Sequence, residues 1–397
     1  MRMLARLPVT LVTAVALGWG LSLAVDTSGF LASRPYQFAA AALLAIGLIA
    51  TTRDIVFAEL RGRIGTVVLA VTVGVLVKAA VIVLVLLLVQ PLPLACVLGI
   101  AVAQIDPLAV AAMQRNRLSR RARSILSAWA SFDDPITVLL TIYATAVALS
   151  LDGQHRPSAF GTGGQRLGDF AVDLLCNAVF AGVAWLLWRG VRRLRGGSAD
   201  PGGPQPARWR AFAAAVLGWL LLAAVVVVGA ALLLILGVAV AGLFVRPDAG
   251  RALAHASTGA FHVAAFGLGI LLVEGVDVWT GLVLAVAAVV AHAAVSVVIG
   301  RGLDRADRAY LAAGQQNGMT AVILALLLDR DFPGVVAVVA PAIVVITAIH
   351  FGLNAALDRR FGLLVRPATG AAPTERRMPV AEIRRLRALE RAQLAQR

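Results

Sequence analysis

Hydrophobic positions along this chain fall in long blocks with few charges. Twelve blocks are long enough to cross about 30 Å of hydrocarbon as helices. They occupy residues 8–25, 36–52, 66–90, 92–113, 124–150, 169–188, 209–228, 229–245, 258–274, 279–299, 310–328 and 334–357. The apolar run from 211 to 245 is too long for one crossing and is divided near Gly229. The arginines test that division. When every second connection is taken as cytoplasmic, those segments collect Arg53, Arg61 and Arg63, the run Arg115 to Arg123, the cluster Arg189 to Arg210, and Arg301, Arg305 and Arg308. The opposite connections hold Arg34, Arg156, Arg166 and Arg330. The bias continues on both sides of the division, which predicts twelve spans with both termini cytoplasmic.

Composition agrees with this pattern. The chain has 397 residues, 60% hydrophobic and only 14% charged, whereas a soluble domain is near half apolar and about a quarter charged. A formal charge of +15 would suggest a nucleic-acid partner in a soluble protein. Here the arginines lie beside the spans, where they face the anionic cytoplasmic leaflet, so the expected partner surface is membrane lipid and no nucleic acid. An uncleaved first helix is preferred over a signal peptide, since the small-residue site around Ala24 is poor. Cys96 and Cys176 lie in apolar runs and suit packing better than a disulfide or metal site. The transmembrane domain is placed at 1–366, with a flexible Gly/Pro-rich linker near 196–204 dividing its halves. An Arg-rich tail, 367–397, reads as an amphipathic surface helix.

Ionisable groups at bilayer depth are costly and usually functional. Four stand out: Lys78, the only lysine in the chain, Asp106, and the adjacent Asp133 and Asp134. At 1.5 Å per helical residue, Lys78 lies about 18 Å, Asp106 about 10 Å and Asp133 about 13 Å from the cytoplasmic ends of their spans. All fall near the midplane. Pro107 follows Asp106 and removes a backbone donor, which marks the fourth span as a broken helix. The eleventh span opens with Gly314, Gln315, Gln316, Asn317 and Gly318, a second candidate break with amides at mid-depth. Spans three to five and ten to twelve run with opposite orientation, each trio with its interrupted helix in the middle, as inverted repeats require. Lys78 and His292 then occupy matching helices, the third and the tenth.

Three carboxylates and one ammonium leave two negative charges uncompensated in a poor dielectric. Such a site either takes up protons or takes up cations, and competition between the two is the physical content of an antiporter. Oxygen ligands favour hard cations such as sodium. Bland alternatives stand beside this reading. One acid could pair permanently with Lys78 as a structural bridge, Asp106 could cap a helix, and His292 and His262 could be packed, hydrogen-bonded histidines. Glu274 and Asp277 read as solvated loop acids.

Gln104-Ile105-Asp106-Pro107-Leu108-Ala109-Val110 is similar to the Thr-Asp-Pro-Val-Ala-Val motif of the cation/proton antiporters, the sodium/hydrogen exchanger-like family. Ser131-Phe132-Asp133-Asp134 resembles that family's paired acidic motif on the following helix, and the likeness runs in order through most of the membrane region. The resemblance implies an all-α polytopic fold with inverted repeats and two crossing broken helices. It implies core helices at about 66–150 and 279–357, scaffold helices elsewhere, and a homodimer through the scaffold. Asp134 would be the principal carrier and Asp133 its partner, a pairing that leans towards electrogenic exchange. Four positions depart from the family pattern. Ile105 replaces a threonine, Trp129 stands where many electroneutral members carry a glutamate, and Gln316-Asn317 replaces an arginine-glycine pair, so Lys78 or His292 would supply the usual basic group.

The expectation is a cell-membrane secondary transporter exchanging sodium, potassium or lithium for protons by alternating access. The transported cation would meet Asp106, Asp133 and Asp134, assisted by Lys78, Gln315, Gln316, Asn317 and His292, with no cofactor. A second reading is sodium-coupled symport of an organic anion, with Lys78 binding the anion and a bile-acid-symporter-like fold. An enzyme is not expected, because the chain carries no Gly-x-Gly-Asp segment, no His-Glu-x-x-His pair and no Ser-His arrangement at depth.

Overall fold

A computed structural model describes residues 2–25, 33–53, 64–105, 117–151, 153, 167–196, 205–247, 250–314 and 318–361. The described chain is helical. The first helices are α1 (Arg2–Ala24), α2 (Arg34–Arg53), α3 (Ile64–Leu69), α4 (Val75–Leu86), α5 (Leu92–Ala101), α6 (Arg120–Leu151) and α7 (Leu167–Gly196). There follow α8 (Gln205–Ala231), α9 (Ile235–Gly242), α10 (Gly250–Leu271), α11 (Val278–Ile299), α12 (Arg305–Ala312), α13 (Met319–Leu328) and α14 (Val335–Phe361). The chain divides into two compact units, 1–350 and 351–397. Of the second, residues 351–361 are described, as the last turns of α14.

Among the described residues, six helical stretches are long and apolar enough to cross a membrane, including Arg121–Leu151, Val278–Ile299 and Val335–Phe361. Shorter apolar helices occupy Thr10–Ala24, Thr72–Leu86 and Leu92–Ala101. The surface is apolar where a soluble protein's would be polar. Val12, Leu84, Leu175 and Trp279 are exposed, while Lys78, Asp133 and His292 are fully buried. This inside-out distribution is what a lipid solvent selects.

The expected twelve spans map onto these helices with two adjustments. The division of the 211–245 run falls at residues 232–234, just past Gly229, where Leu233 takes a left-handed φ of 55°. The following helix, α9, has eight residues, which cover about 12 Å, less than the hydrocarbon thickness. A count of twelve full helical crossings is therefore not established. Span three also carries a π-helical turn, Ala70–Gly74, between α3 and α4.

Two sets of helices pack among themselves. The first is α4, α5, α6, α11 and α12 with the π turn, and the second is α1, α2, α7, α8, α9 and α10; α13 packs chiefly on α2 and α10 of the second set, and α6 joins the sets through α2 and α9. Small residues allow the closest approach. Gly18 of α1 lies against the backbone carbonyl of Phe266 on α10, and Gly269 of α10 against the carbonyl of Val15 on α1. Neither position has room for a Cβ, so this reciprocal pair fixes the helix separation, as small residues do at membrane helix interfaces. The Gly/Pro-rich segment 197–204 and the Arg-rich tail 367–397 lie outside the described residues.

Candidate ion site

Both interrupted spans break where the acids lie. In span four, helix α5 ends at Ala101 and the chain continues without helical structure through Ala103, Gln104 and Ile105. The break thus begins before the Asp106-Pro107 pair expected to cause it. A broken helix leaves backbone donors without intrahelical partners, and at bilayer depth they must be satisfied internally. The Ile105 N–H does so by donating to Asp133 Oδ2 at 2.8 Å. In span eleven, α12 ends at Ala312 and α13 starts at Met319, directly after Gly318. Asp106, Gln315, Gln316 and Asn317 lie outside the described residues.

Asp133 and Asp134 sit in the middle of α6, both buried. The Lys78 ammonium, from α4, donates to Asp133 Oδ2 at 2.8 Å, with both side chains wholly buried. The depth arithmetic that placed Lys78 and Asp133 at one level is thereby met by direct contact. A buried ion pair of this kind is held in place chiefly by the cost of separating it, since either charge alone would be stranded. Asp133 Oδ1 has no hydrogen bond of normal geometry among the described residues. The Trp129 indole nitrogen, one turn earlier on α6, is likewise buried without a hydrogen bond of normal geometry among the described residues.

Asp134 points to the other break. Thr320, in the first turn of α13, donates its hydroxyl to Asp134 Oδ2 at 3.0 Å. Adjacent residues on a helix diverge by about 100°, which is why neighbouring acids can serve two different broken helices. Asp133 takes the amide from span four, and Asp134 takes a hydroxyl from span eleven.

The end of α12 is satisfied by histidines. Helix C-termini leave carbonyls unpaired and carry a partial negative charge. His292 Nε2 lies 3.1 Å from the Leu311 carbonyl, and His350 Nδ1, from α14, lies 2.8 Å from the Ala313 carbonyl. A carbonyl can only accept, so Nε2 of His292 carries the hydrogen. Ser296 Oγ lies 3.3 Å from the same Nε2. Gly314 leaves room for this contact: a Cβ there would stand 3.1 Å from His292 Nε2. The His292 ring also stacks on Trp129, with centroids 5.1 Å apart and planes at 22°, and Lys78 Nζ lies 5.2 Å from the centroid of that Trp129 ring. Trp129 therefore touches both basic side chains of the matching third and tenth spans.

Of the eight residues singled out in the sequence, the structure brings Lys78, Asp133, Asp134 and His292 into one buried region. Thr320, His350, Ser296 and Ile105's amide join them. Trp129 is an integral part of the cluster and more than a departure from a family pattern. Asp277, read as a solvated loop acid, is partly exposed and also caps α11 by accepting the Thr280 N–H at 2.9 Å. The side chain of Glu274 lies outside the described residues. His262 is hydrogen-bonded, with Nδ1 2.7 Å from the Thr258 carbonyl and Nε2 2.9 Å from Thr10 Oγ1. Among the described residues no three His, Cys, Asp or Glu side chains cluster as ligands for a resident metal.

Two helix ends, one after α5 and one before α13, meet a pair of buried acids on α6, an arrangement typical of the ion sites of secondary transporters. The family description "Sodium/hydrogen exchanger, transmembrane" matches residues 54–356. That match takes in most of the chain, and the protein belongs to the sodium/hydrogen exchanger family. It is a multi-pass membrane protein of the cation/proton antiporter class, a family of transporters and not of enzymes. Among solved structures the chain is similar to the sodium proton antiporter MjNhaP1 from Methanocaldococcus jannaschii at pH 8, with a TM-score of 0.59 and 18% identity over 90% of each chain. At that identity the likeness establishes the fold. No curated protein matches the chain. The organic-anion symport reading finds no support: the family is one of exchangers, and Lys78, its proposed anion ligand, is engaged by Asp133.

Proposed function

We propose that this antiporter exchanges sodium for protons across the cell membrane by alternating access, with Asp134 as the principal carrier. The observation that carries the reading is the division of labour between adjacent acids. Asp133 is occupied by Lys78 and the Ile105 amide, whereas Asp134 faces the Thr320 hydroxyl at the second break. Carboxylate and hydroxyl oxygens are hard ligands suited to sodium, with potassium and lithium as competitors. Lys78 holds Asp133 while the cation is absent. Cation entry competes for the same carboxylate, and a proton on either acid excludes the cation. Asp106, Gln315, Gln316 and Asn317 complete the cation's shell in this proposal, and His292 and His350 hold the end of α12 against it.

The helices around Asp133, about 66–150 and 279–357, act as the moving core, and the remaining spans act as the scaffold through which a homodimer forms. Both termini and the arginine-rich loops face the cytoplasm beside anionic lipid. The test is proton flux in proteoliposomes loaded with a pH-sensitive dye, with sodium, potassium and lithium added in turn. Proton movement driven by sodium supports the reading and names the ion. Absence of proton movement with all three, in folded protein, would contradict it.

A further inference from the structure

The ridge of α6 that carries Asp133 stays polar for three turns beyond it. Positions 129, 133, 137, 141 and 145 are Trp, Asp, Thr, Thr and Thr, and all five side chains are 0% exposed. From 137 to 146 the buried positions of α6 are Thr137, Val138, Thr141, Thr145 and Ala146, so hydroxyls hold three of the five. A helix that required only packing would bury valine, leucine or alanine here, because a buried hydroxyl is unfavourable unless it is bonded.

Two of the three hydroxyls are bonded along the helix. Thr141 donates to the Thr137 carbonyl and Thr145 to the Thr141 carbonyl, each at 2.7 Å. Such back-bonds use the hydroxyl hydrogen and leave the oxygen able to accept a hydrogen bond or face a cation. Thr137 differs. Its Oγ1 is buried without a hydrogen-bond partner among the described residues, and Asp133 Oδ1, one turn away, also lacks one. Fully buried polar atoms of this kind are usually met by water or an ion.

Spacing permits a continuous file. Four residues of helix rise about 6 Å, which two hydrogen bonds of about 2.8 Å end to end can span, so the spacing admits one water between successive hydroxyls once the ridge is opened. From Asp133 to Thr145 the ridge rises about 18 Å, and about 9 Å more reaches Leu151 at the end of the helix. The opposite end of α6 carries Arg121 and Arg123.

We propose that Thr137, Thr141 and Thr145 line the path by which water and the exchanged cation pass between the acid pair and the membrane face at the Leu151 end of α6. The proposal rests on the antiport reading. In the conformation described, complete burial closes this path, and alternating access hydrates it when that face opens. The back-bonds let the hydroxyls turn towards water without breaking the helix.

The full chain in proteoliposomes decides the matter with two double variants. Thr141→Val with Thr145→Val keeps the branched shape and removes the hydroxyls. Thr141→Ser with Thr145→Ser keeps the hydroxyls and removes the methyls. The valine pair should lower the maximal rate of cation-driven proton movement roughly tenfold with little change in cation KM, and the serine pair should stay near wild type. A wild-type rate in the valine pair, or equal damage from both pairs, would overturn the proposal. A second readout does not depend on transport. With Cys96→Ala and Cys176→Ala as background, Thr145→Cys should react with a membrane-impermeant thiol reagent applied at the Leu151 face, and Val138→Cys should not. Equal labelling at both positions, or none at 145, also overturns it. If the wild-type chain moves no protons with any cation, the antiport reading fails, and the labelling contrast still judges the path.

Discussion

Lys78 and Asp133, 55 residues apart in sequence, form a fully buried ion pair at 2.8 Å between α4 and α6. The pair brings the chain's only lysine to the edge of the span-four break, since the same carboxylate oxygen also receives the Ile105 amide. Replacing Lys78 by methionine leaves the Asp133 charge stranded and should cost about 3–5 kcal/mol of stability. Adding Asp133→Asn to Lys78→Met removes the stranded charge and should recover much of that loss. Thermal unfolding midpoints in detergent check this, the single variant lying below the double. Equal midpoints for the two variants would mean that the stranded Asp133 carboxylate carries no penalty.

Thr320 holds Asp134 from the first turn of α13. Thr320→Val keeps the side chain's shape and removes its only donor, so Asp134 is less well oriented for the cation. Cation KM should rise by up to roughly tenfold while the maximal rate changes little, in keeping with the loss of one hydrogen bond to a charged group. Thr320→Ser should remain close to wild type. Initial rates of proton movement against cation concentration separate the outcomes.

His292 satisfies the Leu311 carbonyl at the end of α12, with Ser296 Oγ 3.5 Å from the same oxygen as a poorer substitute. His292→Phe keeps a ring to stack on Trp129 but loses the donor, and should destabilise by about 1 kcal/mol. Combination with Ser296→Ala removes the substitute and should cost more than the two single changes added together. Unfolding midpoints of the three variants test that coupling.

The reciprocal glycines of α1 and α10 give a purely steric prediction. Gly269→Val would drive its Cβ into the Val15 carbonyl and force the helices apart, at a cost of about 1–3 kcal/mol or more. Gly20→Val on the same α1 meets nothing within 4 Å and should be close to neutral. The yield and unfolding midpoint of the two variants should differ accordingly.

Much of this site is readable from the sequence, because membrane burial makes charge conspicuous. In apolar runs, Lys78, Asp133 and Asp134 have no reason to exist except to meet one another or a cargo. The rise per residue of a helix suffices to place them at one depth. The breaks are legible too, from Pro107 and from Gly314 to Gly318, though the structure starts the first of them at Ala101, before the proline. The partners that depend on helix adjacency are not legible. Thr320, Ser296 and His350 are ordinary polar residues until α11, α13 and α14 are known to surround the second break. Leu233 carries no turn signal, so the division of the 211–245 run is placed at Gly229 by composition and at Leu233 by the backbone. Asp277 is legible as a solvated loop acid, but its further role as a cap depends on where α11 starts.

The most direct test of the account is Asp134→Asn, compared with wild type in the same proteoliposomes under a sodium gradient. Asparagine keeps the size of the side chain and its contact with Thr320 but can neither release a proton nor balance a cation's charge. Cation-driven proton movement should fall to the level of empty vesicles while the protein remains folded and inserted. Exchange at the wild-type rate in that variant would contradict the assignment of Asp134 as the carrier.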